Sequence, residues 1–269
     1  MSCRVFLLVV LLLFSACSGE LEQTGDGKKQ VKSKLTVGME LAYPPFEMTD
    51  VRGVPTGVSV DIAHALGDYL GLEIDIQNIA FDGLIPALKT GKIDLIISSM
   101  TATEERSQSI DFSDPYLITG LCLLVNKDSG IHSVDDLSRD EISRIAVKKG
   151  TTGHSYAVDR YLPEKLLVLD KESSAVLEVV QNKAVAFIYD QMSTFKNWQR
   201  HQDTTRALLD PFQKEAWAVG IRKGNTELKK QVNAFLASFR EKGGFEKLGN
   251  KYLSEQKAAF QKMNYPFYF

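Results

Sequence analysis

Arg106 is the residue of this 269-residue chain whose position most invites chemistry. Upstream of it the apolar run Ile93, Leu95, Ile96, Ile97 reads as a buried strand that ends in hydroxyl residues. Thr103 then reads as a helix N-cap. Glu104 and Glu105 suit the positive end of that helix, whereas Arg106 in the same first turn does not. A guanidinium there, beside the Ser98, Ser99 and Thr101 hydroxyls, makes a seat for a carboxylate or a phosphate. Taken alone, the stretch is explained more simply by Arg106 pairing with Glu104 or Glu105 on a wet surface. The elements around it have to decide.

Leu35–Met39 alternates as a strand, and Pro44-Pro45 then hold an extended loop between Glu40 and Phe46. Val58, Ile62, Leu66 and Leu70 form a helical stripe ended by Gly71. A strand at Leu72–Ile76, a short helix at Asp82–Thr90 and the strand at Ile93–Ile97 complete a βαβαβ unit, the pattern of a mainly parallel sheet flanked by helices. The plan then repeats. Ser133–Asp136 opens a helix, Arg144–Val147 reads as a strand, and Gly150-Thr151-Thr152-Gly153 turns into a helix. Leu166–Leu169 is a strand, Ser173 caps a helix to Gln181, and the strand Val185–Tyr189 ends in Asp190. Ala216–Ile221 returns as a strand, Asn225 caps a helix carrying Leu228, Val232, Phe235, Leu236 and Phe239, and a last helix spans Phe245–Leu253. The class is therefore α/β with two lobes. The runs Leu117–Val125 and Ala216–Ile221 are expected to cross between them as a two-stranded hinge. In such sheets the ligand crevice lies off the carboxyl ends of the strands. The Arg106 corner, the Gly150–Thr152 turn and Asp190 would all face one cleft.

Composition narrows the function. Apolar residues make up 44%, charged residues 25%, and the formal net charge is −2, with no basic run or basic-aromatic face. That excludes nucleic-acid binding. His64, His132, His154 and His201 are scattered, and no phosphate-binding loop, nucleophile elbow or metalloprotease motif occurs, so neither metal nor cofactor is expected. Cys122 lies in the apolar run Leu121–Val125 and reads as a core residue without a disulfide partner. At the N-terminus, Arg4 precedes the ten-residue apolar stretch Val5–Phe14, too short to span a bilayer, so residues 1–16 read as an export signal. Ser18–Ser33 is polar and aperiodic, as a tether would be. The aromatic C-terminus AAFQKMNYPFYF has no evident role.

Two resemblances sharpen the expectation. Phe14-Ser15-Ala16-Cys17 is similar to a bacterial lipobox, with Phe14 where Leu is usual, which implies a lipid on Cys17. Residues 35–255 resemble the extracytoplasmic solute-binding proteins of polar amino-acid ABC importers through AYPPFE, GLIPALKTGKIDLIISSMTATEER, IDFSDPY and VKKGTTG. The resemblance implies a two-lobed, periplasmic-binding-protein-like (type II) fold. Lobe 1 would comprise residues 35–117 and 217–269, lobe 2 residues 118–216, and residues 17–34 the lipid-anchored tether. It also implies roles within the segment Ser99-Met100-Thr101 to Arg106. Arg106 and Thr101 would hold an α-carboxylate, joined by Thr152, while Ser99 and Asp190 would take the α-ammonium. Tyr43 and Phe81 would clasp the ligand side chain and Glu40 its polar end, favouring arginine, lysine or histidine, with glutamine next. The chain is thus expected to be a periplasmic, membrane-anchored, monomeric carrier that delivers a free amino acid to an ABC permease, not an enzyme. The alternatives are a sensor subunit, or a dehydratase acting on cyclic precursors of aromatic amino acids.

Overall fold

The computed structural model describes residues 33–139 and 143–265, so the export signal, Cys17 and most of the tether lie outside the described residues. The chain starts with β1 (Lys34–Met39), a small antiparallel sheet of β2 (Ala42–Tyr43), β3 (Glu47–Thr49) and β4 (Pro55–Thr56), then α1 (Val58–Leu70) and β5 (Glu73–Asn78). After a 3-10 turn at Phe81–Gly83 come α2 (Leu84–Lys89), β6 (Leu95–Ile96), α3 (Glu104–Ser109) and β7 (Ile110–Phe112). The middle of the chain forms β8 (Leu117–Asn126), α4 (Asp136–Arg139), β9 (Ile145–Lys148), α5 (Thr152–Val158), β10 (Leu166–Leu169), α6 (Glu172–Val180), β11 (Ala186–Asp190), α7 (Gln191–Arg200) and β12 (Thr205–Trp217). It closes with β13 (Gly220–Arg222), α8 (Thr226–Glu241), α9 (Gly244–Tyr252) and α10 (Ser254–Lys262).

Two five-stranded sheets organise two lobes, in the orders β5-β1-β6-β13-β7 and β10-β9-β11-β8-β12. In each, three strands pair in parallel, as a βαβαβ chain dictates, a fourth (β13 or β8) pairs antiparallel with them, and the edge strand beyond it (β7 or β12) again runs in the direction of the first three. Each sheet is thus mainly parallel, as expected, with one reversed strand: the chain enters the second lobe through β8 and returns to the first through β13, each running against the other four strands of its sheet. Burial on both faces explains the composition of the central strands. In β6 and its extension, Leu95 and Ile97 face one core and Ile96 the other, and all three are fully buried. In α1, Val58, Ile62 and Leu66 are sealed against the first sheet, and Gly71 ends the helix in the left-handed region at φ 68°.

The hinge is shorter than the apolar runs suggested. β8 lies wholly within the second sheet, paired with β12 from Leu117↔Trp217 onward, so only the residues between Phe112 and Leu117 and those between Trp217 and Gly220 cross over. Tyr116 N–H donates to the Trp217 carbonyl (2.9 Å), and Ser113 and Val219 bond each other through the Ser113 amide (3.0 Å) and hydroxyl (2.9 Å). The full length of β12 escapes sequence reading because Pro211 sits inside it. The register shifts between Leu208 and Gln213, and that irregularity accommodates the proline. The described part of the aromatic C-terminus, up to Tyr265, docks on α7 of the second lobe: Phe260 meets Phe195 edge-on at 5.0 Å, and Tyr265 lies 6.3 Å from Phe260; residues 266–269 lie outside the described residues. Among the described residues no helix is long and apolar enough to cross a membrane.

Candidate functional site

A cleft of about 420 Å³, counting the solvent in its mouth, opens where the parallel strands of both sheets end. From the first lobe it is lined by Glu40, Tyr43, Glu47, Phe81, Ser98, Ser99, Thr101 and Arg106. From the second come Leu121, Thr151, Thr152, Tyr189, Asp190, Glu215 and Trp217.

Arg106 is set by its helix. The Thr103 hydroxyl accepts from the Arg106 amide (3.1 Å), which fixes the first turn of α3 and sends the side chain into the cleft rather than to Glu104 or Glu105. One guanidinium nitrogen donates to the Thr101 carbonyl (2.7 Å) and the other reaches the Gly150 carbonyl of the second lobe (3.0 Å). The Phe81 ring lies 5.6 Å from the guanidinium carbon. Burial lowers the Arg106 pKa, and the negative charge of Glu215 and then Glu105 opposes that shift. Among the described residues no carboxylate comes within ion-pair distance of Arg106.

Asp190 ends β11 and caps α7, accepting from the Ser193 amide (3.0 Å) and from the Tyr43 hydroxyl across the cleft (2.6 Å). The capping role and a place in the cleft are therefore compatible. Burial pushes this carboxyl up to about 7, although Tyr43 and Ser193 stabilise its charged form. Tyr43 itself is packed against Phe46, Tyr189 and Trp217, and burial raises its hydroxyl well above the usual range.

Eight of the nine cleft residues expected from the sequence line this space; Met100 does not. Its side chain is 1% exposed and packs with Leu84 and Ile96 in the first lobe's core, because the backbone turns at Ser99 after β6 and carries Met100 to the core side. Ser99 and Thr101 take the cleft side. Ser99 sits at φ 47°, a left-handed backbone that a serine adopts at a cost of about 1–3 kcal/mol. Glu40 has a partner that its place in the sequence does not indicate. It lines the cleft and also forms an ion pair with Lys148, a side chain only 3% exposed whose ammonium lies 5.4 Å from the Phe81 ring. The Thr101 hydroxyl is likewise engaged, donating to Glu215 (3.0 Å). Burial raises the Glu215 pKa, and Thr152 and Thr101 pull it back down.

Glu47, Lys148, Tyr189, Glu215 and Trp217 were not foreseen as part of the site. Glu47 follows the Tyr43–Phe46 loop directly, and Lys148 belongs to VKKG, so both stood beside residues that drew attention. Glu215 lies on the unread part of β12.

The lobes are closed on each other. Besides Tyr43–Asp190, Arg106–Gly150 and Glu40–Lys148, Lys149 pairs with Asp82 (2.9 Å) and Lys196 donates to the Pro44 carbonyl. Gly150 permits the approach: at φ +75° a Cβ would lie 2.9 Å from the Asp82 Cβ. Among the described residues no cluster of His, Cys, Asp or Glu is arranged to hold a metal ion.

Residues 35–255 match the bacterial extracellular solute-binding proteins, family 3. The chain belongs to this family. It is 31% identical to the arginine-binding extracellular protein ArtP of Bacillus subtilis (strain 168), over 92% of this chain and 98% of that one. It is 28% identical to the L-cystine-binding protein TcyJ of Escherichia coli (strain K12), over 84% of each. Among solved structures it resembles the ancestral amino acid-binding protein AncCDT-1, a precursor of cyclohexadienyl dehydratase, with a TM-score of 0.74 and 35% identity over 82% of this chain and 95% of that one. The lobes, the closed cleft and the short double crossing are thus the family's two-lobed, type II architecture.

Proposed function

We propose that this protein captures a free amino acid between its lobes, a basic one by preference, and delivers it to the permease of an ABC importer. The observation that carries the reading is the opposition of Arg106 and Asp190 across one closed cleft. A zwitterion fits between them, its carboxylate on the Arg106 guanidinium and its ammonium on Asp190. Thr101 and Thr152 stand at the carboxylate end, and Phe81 and Tyr43 supply flat apolar walls. Of the described residues that line the cleft, four are acids (Glu40, Glu47, Asp190, Glu215) and one, Arg106, is a cation. That balance favours a ligand with an additional positive charge, in keeping with the likeness to an arginine-binding protein. Charge-assisted hydrogen bonds contribute about 1.5–3 kcal/mol each, so a few of them reach micromolar affinity after the loss of ligand freedom. A ligand that touches both lobes favours the closed state by those same contacts.

Export and attachment through a lipid on Cys17 complete the reading; mass spectrometry of the mature N-terminus from membranes tests it. A dehydratase on the same fold is the second reading, favoured by the likeness to AncCDT-1. Its substrates are dicarboxylates or carry a carboxylate on a ring, and a lining with Arg106 as its one cation among the described residues offers a second carboxylate no partner. The deciding experiment is a calorimetric panel of arginine, lysine, histidine, glutamine, cystine and glutamate, with prephenate and arogenate assayed for turnover. Tight binding of a basic amino acid without turnover supports a carrier; turnover of either cyclic acid overturns it.

A further inference from the structure

The chain crosses between the lobes a third time, after α9. Helices α8 and α9 belong to the first lobe: Phe235 of α8 meets Tyr69 of α1 (5.7 Å), and Asp61 of α1 accepts from Lys251 (2.8 Å) and Tyr252 (3.0 Å) at the end of α9. A single residue, Leu253, separates α9 from α10, and it is fully buried. Helix α10 then seats on the second lobe. Phe260, also fully buried, meets the Phe195 ring of α7, and beyond the helix the Tyr265 amide turns back onto the Phe260 carbonyl (2.9 Å). The Tyr265 hydroxyl donates to Asp210 of β12. Leu253, Phe195 and Phe260 share one buried cluster with Tyr43, Phe46 and Trp217, so apolar packing runs without a break from one lobe into the other. Neither α10 nor Phe195 lines the cleft.

The two crossings beside Trp217 are short and can rotate, whereas a pair of helices joined by one residue cannot stretch. Opening the cleft moves α7 away from α1, and the α9–α10 pair is anchored to both. Either α10 pivots about Leu253, which must then repack, or Phe260 leaves Phe195 and its ring meets water; both oppose opening. We propose that α10 and Tyr265 form a strap that holds the lobes together, so that the resting width of the cleft and the lifetime of a bound ligand depend on side chains that touch no ligand. The strap gives the aromatic residues Phe260 and Tyr265 a role that the amino-acid reading leaves open.

Two variants in the full chain test it. Phe260→Leu removes the ring pair but keeps an apolar side chain, and Tyr265→Phe removes only the bond to Asp210. Small-angle X-ray scattering of the ligand-free protein reads the opening, and stopped-flow displacement reads the release of arginine. Each variant should have a larger radius of gyration than the wild type when free and the same radius when saturated with arginine. Each should release arginine about two- to tenfold faster. A ligand-free radius and a release rate equal to the wild type in both variants overturn the strap. If Phe260→Leu does not fold, Tyr265→Phe decides alone, together with hydrogen exchange in the wild type. There the α10 amides should exchange more slowly with arginine bound than without it, and equal exchange overturns the proposal. A wild type that binds no amino acid removes the amino-acid reading, while the ligand-free scattering still decides the strap.

Discussion

Replacing Asp190 by asparagine separates its architectural role from its proposed role in binding. The amide is isosteric, and its oxygen can still accept from the Ser193 amide and the Tyr43 hydroxyl, the two bonds the carboxylate makes now at 3.0 and 2.6 Å. Asparagine caps helices about as well as aspartate, so stability at pH 7 should change by less than about 1 kcal/mol. What disappears is the negative charge opposite the ligand ammonium. A hydrogen bond to a charged group contributes about 1.5–3 kcal/mol, which predicts roughly ten- to 150-fold weaker binding of any free amino acid. The effect should be largest at pH 8, where a group titrating at about 7 is mostly ionised, and should shrink toward pH 6. Calorimetry at both pH values, with thermal unfolding as a control, measures it. A folded Asp190→Asn that binds arginine like the wild type at pH 8 refutes the assignment.

Arg106→Ala removes the guanidinium that would meet the carboxylate, together with its bridge to Gly150; leaving a desolvated charge unpaired costs about 3–5 kcal/mol, so affinity should fall at least a hundredfold by calorimetry. Gly150→Ala places a Cβ against Asp82 and strains a φ of +75°, so it should oppose closure: ligand affinity should drop at least tenfold, read by calorimetry, while far-ultraviolet circular dichroism stays unchanged. Glu47 and Asp190 are raised from 4.5 and 3.8 to about 8 and 7, so the folded state holds protons that the unfolded chain releases. The stability they contribute is complete below about pH 4 and is lost as pH climbs through those folded values. The ligand-free melting temperature should therefore fall between pH 5.5 and 8, and the stabilisation by added arginine should grow over the same window; a melting temperature that rises would contradict this.

Much of the architecture was legible because it is written in local chemistry. The Thr103, Asp190 and Asn225 caps each accept the amide expected of them, from Arg106, Ser193 and Leu228, and the α1 stripe ends at its left-handed glycine. The limits were equally physical. β12 carries Pro211 and an irregular register that hides its alternation. Met100 lies between two cleft residues, and only the turn of the backbone after β6 decides which side it takes. Partners far apart in the chain were the least visible: Lys148 neutralises Glu40 from 108 residues away, and Glu215 meets Thr101 from 114. Spacing along a sequence carries no trace of such pairs, whereas the strand ends that bring them together can be placed.

The central claim is that a zwitterion is held at both ends, by Arg106 on one lobe and Asp190 on the other. Calorimetry of the wild type with arginine, agmatine, which lacks the carboxylate, and Nα-acetyl-arginine, which lacks the α-ammonium, tests it most directly. Arginine should bind at micromolar or better affinity, and each derivative at least a hundredfold more weakly. Agmatine or Nα-acetyl-arginine binding as tightly as arginine would contradict it.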